Sequence, residues 1–185
     1  EERAALRRAP ANGTVTASLR HVWDAILSRP VSHAPTAFGF DEFYGLDVNN
    51  GDLLIDGNTT ELPLPDHWTT PSDGHGFGPT PSTWDIEGVL PRLTKRAAAF
   101  VHASVRVHQL PFLLYLASTS PHAPLAVSAE WRHRSQLSAY ADWVMQSDAV
   151  VGELTRAIEE EGASHNTLLI VSSDNGQLGT REPTS

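Results

Sequence analysis

Cysteine is absent from the 185 residues. That excludes disulfides, thiolate metal sites and a cysteine nucleophile within these residues, and it leaves the compartment open. Lysine is almost absent, Lys95 being the only one. With 13 basic residues against 22 acidic ones the net charge is -9, so a basic nucleic-acid face is not expected. No apolar run reaches the roughly 18 to 20 residues of a membrane helix, and no signal peptide is visible in these residues. The glycines of Asp73-Gly74-His75-Gly76-Phe77-Gly78 are not followed by Gly-Lys-Ser or Gly-Lys-Thr, so they do not make a phosphate loop. The chain starts at Glu1 and its one methionine is Met145, which points to a processed product or a fragment.

What remains is ordinary for a globular α/β domain: 40% of the residues are apolar, enough for a core. Two continuous apolar runs stand out, Pro111-Phe112-Leu113-Leu114-Tyr115-Leu116-Ala117 and Thr167-Leu168-Leu169-Ile170-Val171. Each has strand length and reads as a strand buried on both faces, the pattern of a mostly parallel sheet covered by helices. The first run ends in Ser118-Thr119-Ser120-Pro121-His122-Ala123-Pro124, where prolines flank His122. The second ends in Asp174-Asn175-Gly176, which is either an Asx turn or a platform of hard oxygen donors for a cation. Right-handed crossovers would put both ends on one edge of the sheet, where open α/β folds assemble ligand sites.

Between the runs, Leu137, Tyr140, Val144, Val151, Leu154 and Ile158 step as an amphipathic helix that closes at Gly162. Asp148 falls on that stripe and needs a structural partner there. Asp85 to Val105 reads as another helix, apolar at Leu90, Leu93, Ala97, Phe100 and Val101 and basic at Arg92, Lys95 and Arg96. Val15 to Leu27 fits a short one. Gly39 to Gly45 suggests a turn burying Phe40 and Phe43, and Leu53 to Ile55 a weak strand. The long irregular stretch from Leu46 to Thr83 suits functional surface more than filler. Asn12-Gly13-Thr14 and Asn58-Thr59-Thr60 would be glycosylated only in a secretory setting. The first thirty residues hold five arginines (3, 7, 8, 20, 29) against three acids, and residues 1–34 are taken as a unit distinct from a domain over 35–185.

In this order the pieces resemble the sulfatase family, in particular its arylsulfatase-like members. The match runs from Pro35-Thr36 and Gly39-Phe40-Asp41-Glu42-Phe43-Tyr44-Gly45, through 111–117 with Pro121-His122-Ala123-Pro124-Leu125, then Tyr140, Asp142-Trp143-Val144, Asp148 and Val151-Gly152, to Asn166-Thr167-Leu168 and Ser173-Asp174-Asn175-Gly176. Each piece is weak alone, and their sequence at family spacing is what carries the likeness over about residues 35–179. It implies an alkaline-phosphatase-like α/β sandwich, incomplete here, that hydrolyses small-molecule or glycan sulfate esters through a formylglycine made from cysteine. It also implies one divalent cation, usually Ca²⁺, with Asp174 and Asn175 among its ligands. His122 would meet the sulfate or its bridging oxygen as a hydrogen-bond donor or proton source.

The departures from the family pattern bear on activity. The Cys-x-Pro-Ser-Arg motif of the family is missing, and so are the paired aspartates expected upstream and the lysine expected beyond Gly176. Where the family has Gly-Lys-Trp-His-Leu-Gly, this chain reads Val22-Trp23-Asp24-Ala25-Ile26-Leu27-Ser28. The parent protein is thus expected to cleave sulfate esters and these residues alone are not. The alternatives are a phosphate mono- or diesterase of the same superfamily and a non-catalytic truncated relic. Members of the family are typically lysosomal, secreted or periplasmic. Compartment, substrate and oligomeric state stay open on the sequence.

Overall fold

The computed structural model describes residues 15–47, 52–61, 63, 65–69 and 78–176. The Asn12 sequon and most of the 73–78 glycine loop lie outside them. Helix α1 (Ala17–Leu27) starts where Thr16 accepts the Leu19 N–H at 3.2 Å, satisfying one free donor of its first turn. Its one fully buried side chain is Trp23, 6.0 Å from the ring of Trp68. Arg20 donates to the Asp66 carbonyl, 3.1 Å away, so α1 docks on the hairpin that Trp68 belongs to.

Two small antiparallel sheets follow. β1 (Tyr44–Leu46), β2 (Leu54–Asp56) and β3 (Thr59–Thr60) pair in that order, with Gly45 opposite Ile55 and Ile55 opposite Thr60. Gly57, at φ 64°, turns β2 into β3. β4 (His67–Thr69) pairs with β5 (Gly78–Thr80). The carboxylate of Asp52, only 5% exposed, accepts from Thr69 and Thr80 hydroxyls at 2.7 and 2.8 Å and ties the second sheet to the chain entering the first. The turn at 39–45 differs from expectation. Phe43 is half-buried, its ring so close to Gly45 that a Cβ there would meet Cζ at 3.0 Å, whereas Phe40 remains 44% exposed after the left-handed Gly39.

The core lies between α2 (Val89–Ala103) and α3 (Ala139–Glu160). From α2 it takes Leu90, Leu93, Ala97 and Val101, as the periodicity predicts, while Arg92 and Arg96 reach across to Glu61 (3.2 Å) and Asp56 (2.6 Å) on the first sheet. Lys95 is exposed. Ser138 caps α3 by accepting from Ala141, and Gly162, at φ 64°, ends it: Gly162 N–H returns to the Glu159 carbonyl and Ala163 N–H to that of Ile158. Just there, Glu161 takes His102 (2.5 Å) from the end of α2 and Arg106 (2.7 Å) from the helical turn of residues 104–108 that follows it. These contacts hold its carboxyl below the usual range, that of Arg106 first and of His102 second.

The buried face of α3 is the expected one at Leu154 and Ile158 and differs from it in the first half of the helix. It runs through Asp142, Trp143, Gln146, Val150, Leu154, Ala157 and Ile158. Leu137 and Val144 are 85% and 42% exposed, and Asp148 is exposed as well, so it needs no buried partner. Counting from Tyr140 and Val144 places the stripe one step round the helix from where the bulky indole of Trp143 pulls it.

The two apolar runs are extended but carry no strand ladder among the described residues. Along 111–117 burial alternates. Phe112 and Leu114 pack on Val101, Ala157 and Ile158, Leu116 packs near Leu90 and Trp143, and Leu113 and Tyr115 stand 78% and 77% exposed. Leu168, Ile170 and Val171 are 84%, 76% and 66% exposed. Burial on both faces, expected from composition, is therefore corrected to one face for the first run and none for the second. A strand of a parallel sheet is covered and hydrogen-bonded only by neighbouring strands and helices, and none of the described residues occupies those positions.

Candidate functional site

His122 sits in a loop that α3 holds in place. The indole Nε1–H of Trp143, itself 1% exposed, donates to the His122 carbonyl at 3.1 Å. One turn on, the Ser147 hydroxyl lies 2.7 Å from that of Ser120, which in turn lies 2.8 Å from that of Ser118. The Ser120–Pro121 and Ala123–Pro124 peptides are cis. The imidazole is exposed, with Nδ1 2.5 Å from the carbonyl oxygen of Ala123. An N–H must sit on Nδ1 to make that contact, which leaves Nε2 as an acceptor in the neutral ring and as a donor only in the imidazolium. His122 can thus pass a proton to a leaving oxygen only in its charged form.

Two neighbours of Trp143 secure the next stretch of chain. Asp142 accepts the N–H groups of His133 and Ser135 at 2.6 and 2.7 Å, and Gln146 accepts that of Ser128 at 3.1 Å. Hydrogen bonding by Ser135, with that of His133 behind it, keeps the Asp142 carboxyl below its ordinary value. One face of α3 therefore fixes three successive loop segments, at Ser120 to His122, Ser128, and His133 to Ser135. Sequence reasoning quoted Asp142 and Trp143 only as part of the family likeness. Their signal was a carboxylate and an indole one turn after a Ser cap, beside a loop of prolines.

Asp174 and Asn175 close the second extended run and are exposed. Ser173 donates to the Asn175 carbonyl at 2.5 Å, a local turn. Carboxylate and carboxamide oxygens are the donors a hard cation takes, but Ca²⁺ needs about 6 to 8 of them. Among the described residues no group of three or more His, Cys, Asp or Glu side chains gathers to supply the rest. The donors fit the ion in kind and not in number. His122 and the Asp174-Asn175 pair follow the two apolar runs in sequence, and no hydrogen bond joins them in the structure.

A second feature adjoins His122: a cleft bounded by Leu46 at the end of β1, Trp84 and Ile86 before α2, Val89, Thr119 and Trp143. Its walls come from both small-sheet and helical parts of the chain.

The sequence profile of the sulfatase family matches residues 21–182. The chain belongs to that family. The match begins inside the stretch 1–34. Human arylsulfatase A is 32% identical over 153 residues, 77% of this chain and 29% of the human protein. Mouse N-acetylgalactosamine-6-sulfatase is 27% identical over 80% of this chain and 28% of its own length. A solved structure from Bacteroides thetaiotaomicron, described under the metabolism of multiple glycosaminoglycans, superposes with a TM-score of 0.63 at 16% identity, covering 76% of this chain and 37% of its own. The sulfatase α/β fold is thereby assigned, and this chain spans less than a third of the length of either curated relative. No helix among the described residues is long and apolar enough to cross a membrane.

Proposed function

We propose that the protein containing these residues hydrolyses sulfate esters of small molecules or glycans. The observation that carries this reading is His122 itself, held from behind by Trp143 with its Nε2 edge unengaged, in a chain whose curated relatives are sulfatases. A sulfate monoester is an anion whose bridging oxygen gains charge as the S–O bond breaks. An imidazolium at that oxygen would stabilise the charge and then protonate the leaving alcohol. Asp174 and Asn175 would supply two oxygens of a divalent-cation site whose other ligands lie outside the described residues. Because the 185 residues hold no cysteine, they are proposed to be silent by themselves, their part being to present His122 and the cation donors.

The test assays an aryl sulfate and the matching aryl phosphate with the whole protein and with the 185-residue chain. The expected result is sulfate-selective turnover by the whole protein only, lowered about 10²- to 10⁴-fold by His122→Ala, with Asp174→Ala raising the cation concentration needed. Phosphate-selective turnover would replace the sulfatase reading with a phosphoesterase one, and turnover by the 185 residues alone would end the claim that they are silent.

A further inference from the structure

His122 is aimed by its own backbone. Its Nδ1–H is spent on the carbonyl of Ala123, so Nε2 points wherever residues 120–123 carry the ring. Trp143 holds this segment at one point, the His122 carbonyl. A segment held at one point can pivot about it. Ser147 supplies a second point: its half-buried hydroxyl meets that of Ser120, which is 8% exposed, at 2.7 Å. Trp143 and Ser147 stand one turn apart on α3, about 6 Å along its axis, and the two residues they hold lie on either side of Pro121. Two anchors so spaced remove the pivot.

The bond between Ser147 and Ser120 survives either direction of its proton. The Ser147 hydroxyl has one hydrogen and two acceptors within reach, Ser120 Oγ and the Trp143 carbonyl at 2.9 Å. When it turns to the carbonyl, Ser120 donates to Ser147 instead, and Ser118, 2.8 Å from Ser120, donates to Ser120 in turn. Ser118 also accepts the Ser120 N–H at 3.2 Å, so side chain and backbone of Ser120 are both held.

We propose that Ser147 is a positioning residue for His122, acting through Ser120 to keep Nε2 on the bridging oxygen of the sulfate ester. This rests on the sulfatase reading of His122 and adds to it a residue that does not touch the imidazole. Without the Ser147 hydroxyl the loop keeps Trp143 and turns about it, and a displacement of about 1 Å at a reacting group can cost about 10²-fold in rate. The proton moves from Nε2 to the departing alkoxide as the S–O bond breaks, leaving His122 neutral. The loss therefore falls on kcat rather than KM, and it grows with the basicity of the leaving alcohol.

The experiment measures kcat and KM of the whole protein and of its Ser147→Ala, Ser147→Thr, Ser120→Ala and His122→Ala variants on an alkyl sulfate and on 4-nitrophenyl sulfate, whose leaving group needs a proton far less. We expect Ser147→Ala to lower kcat about tenfold on the alkyl ester and about threefold on the nitrophenyl ester, with KM little moved. Ser147→Thr, which keeps the hydroxyl, should recover most of the loss, and Ser120→Ala, which removes the same bond from its other side, should match Ser147→Ala. Added to His122→Ala, Ser147→Ala should cost nothing further on the nitrophenyl ester, because the residue it positions is gone. An equal loss with and without His122, or one indifferent to the leaving group, would make Ser147 a fold residue only and overturn the positioning role while leaving the sulfatase reading intact. Unchanged kcat in Ser147→Ala would overturn it in the same way, and no turnover of any sulfate ester by the whole protein would overturn both.

Discussion

At the scale of single residues, the carboxylates in this chain do more structural than chemical work. Asp142 carries two backbone N–H groups that have no other acceptor shown, so Asp142→Ala strands both donors in a part of the chain that α3 shields. Its expected effect is a Tm lower by several degrees together with a looser 131–136 turn, read by thermal unfolding and by hydrogen exchange at the His133 and Ser135 amides. The pH dependence follows in sign. The folded forms of Asp142 and Glu161 both have lowered pKa values, so the unfolded chain binds more protons and stability rises with pH across their titration. The contribution is complete above the ordinary values of 3.8 and 4.5 and is lost as pH falls through the lower folded values. Acid unfolding followed by circular dichroism should therefore show a shallower loss of stability as pH falls below about 3.8 in Asp142→Ala than in the parent chain. Trp143→Phe tests another single contact: without the indole N–H the His122 carbonyl loses its donor, at about 1 kcal/mol of stability and with a larger loss of turnover in the whole protein than His122-independent unfolding would cause.

At the scale of elements, α2 and α3 are the framework and everything near the candidate site hangs from them. Leu90 is 1% exposed in the cluster with Val127, Trp143 and Val150. Leu90→Ala should remove about 2 to 5 kcal/mol, as large-to-small changes in a packed core do, measured by chemical denaturation. Much of this level was legible. Apolar spacing gave both helices, with the Gly162 stop of the second, and the weak strand at Leu53 to Ile55 was read as well. The face of α3 was legible at Leu154 and Ile158 and not in its first half, because two stripes one residue apart differ little in hydrophobicity. What chooses between them is which stripe lets Trp143 and Gln146 fill the space under the loops of residues 118–128 while Asp142 meets the turn at 131–136. Phe40 illustrates the same limit, since an aromatic beside a glycine turn is buried only if something is there to cover it.

At the scale of the whole molecule, the chain is a framework with open edges. Leu113 and Tyr115 on one run and Leu168, Ile170 and Val171 on the other are extended, apolar and exposed, the condition in which strand edges recruit other chains. In isolation the 185 residues should self-associate at micromolar concentrations and bind a hydrophobic dye. Light scattering and dye fluorescence should both fall when Leu113→Lys and Ile170→Lys are introduced together. A monodisperse chain with no dye binding would contradict this picture of the edges.

The order of motifs determined the family by itself, because a proline-flanked histidine after one apolar run and Asp-Asn-Gly after the next are local features that need no tertiary information to be written down. Cysteine's absence likewise determined that no thiol chemistry belongs to these residues. Tertiary structure alone decided which side chains act on one another across the sequence: that Trp143 holds His122 from 21 residues away, that Asp142 rather than Asp148 is the buried carboxylate of α3, and that Trp84 comes beside His122 at one cleft. It also decided that the apolar runs are exposed. Hydrophobicity states what a segment would bury, whereas burial depends on whether other segments are placed to cover it.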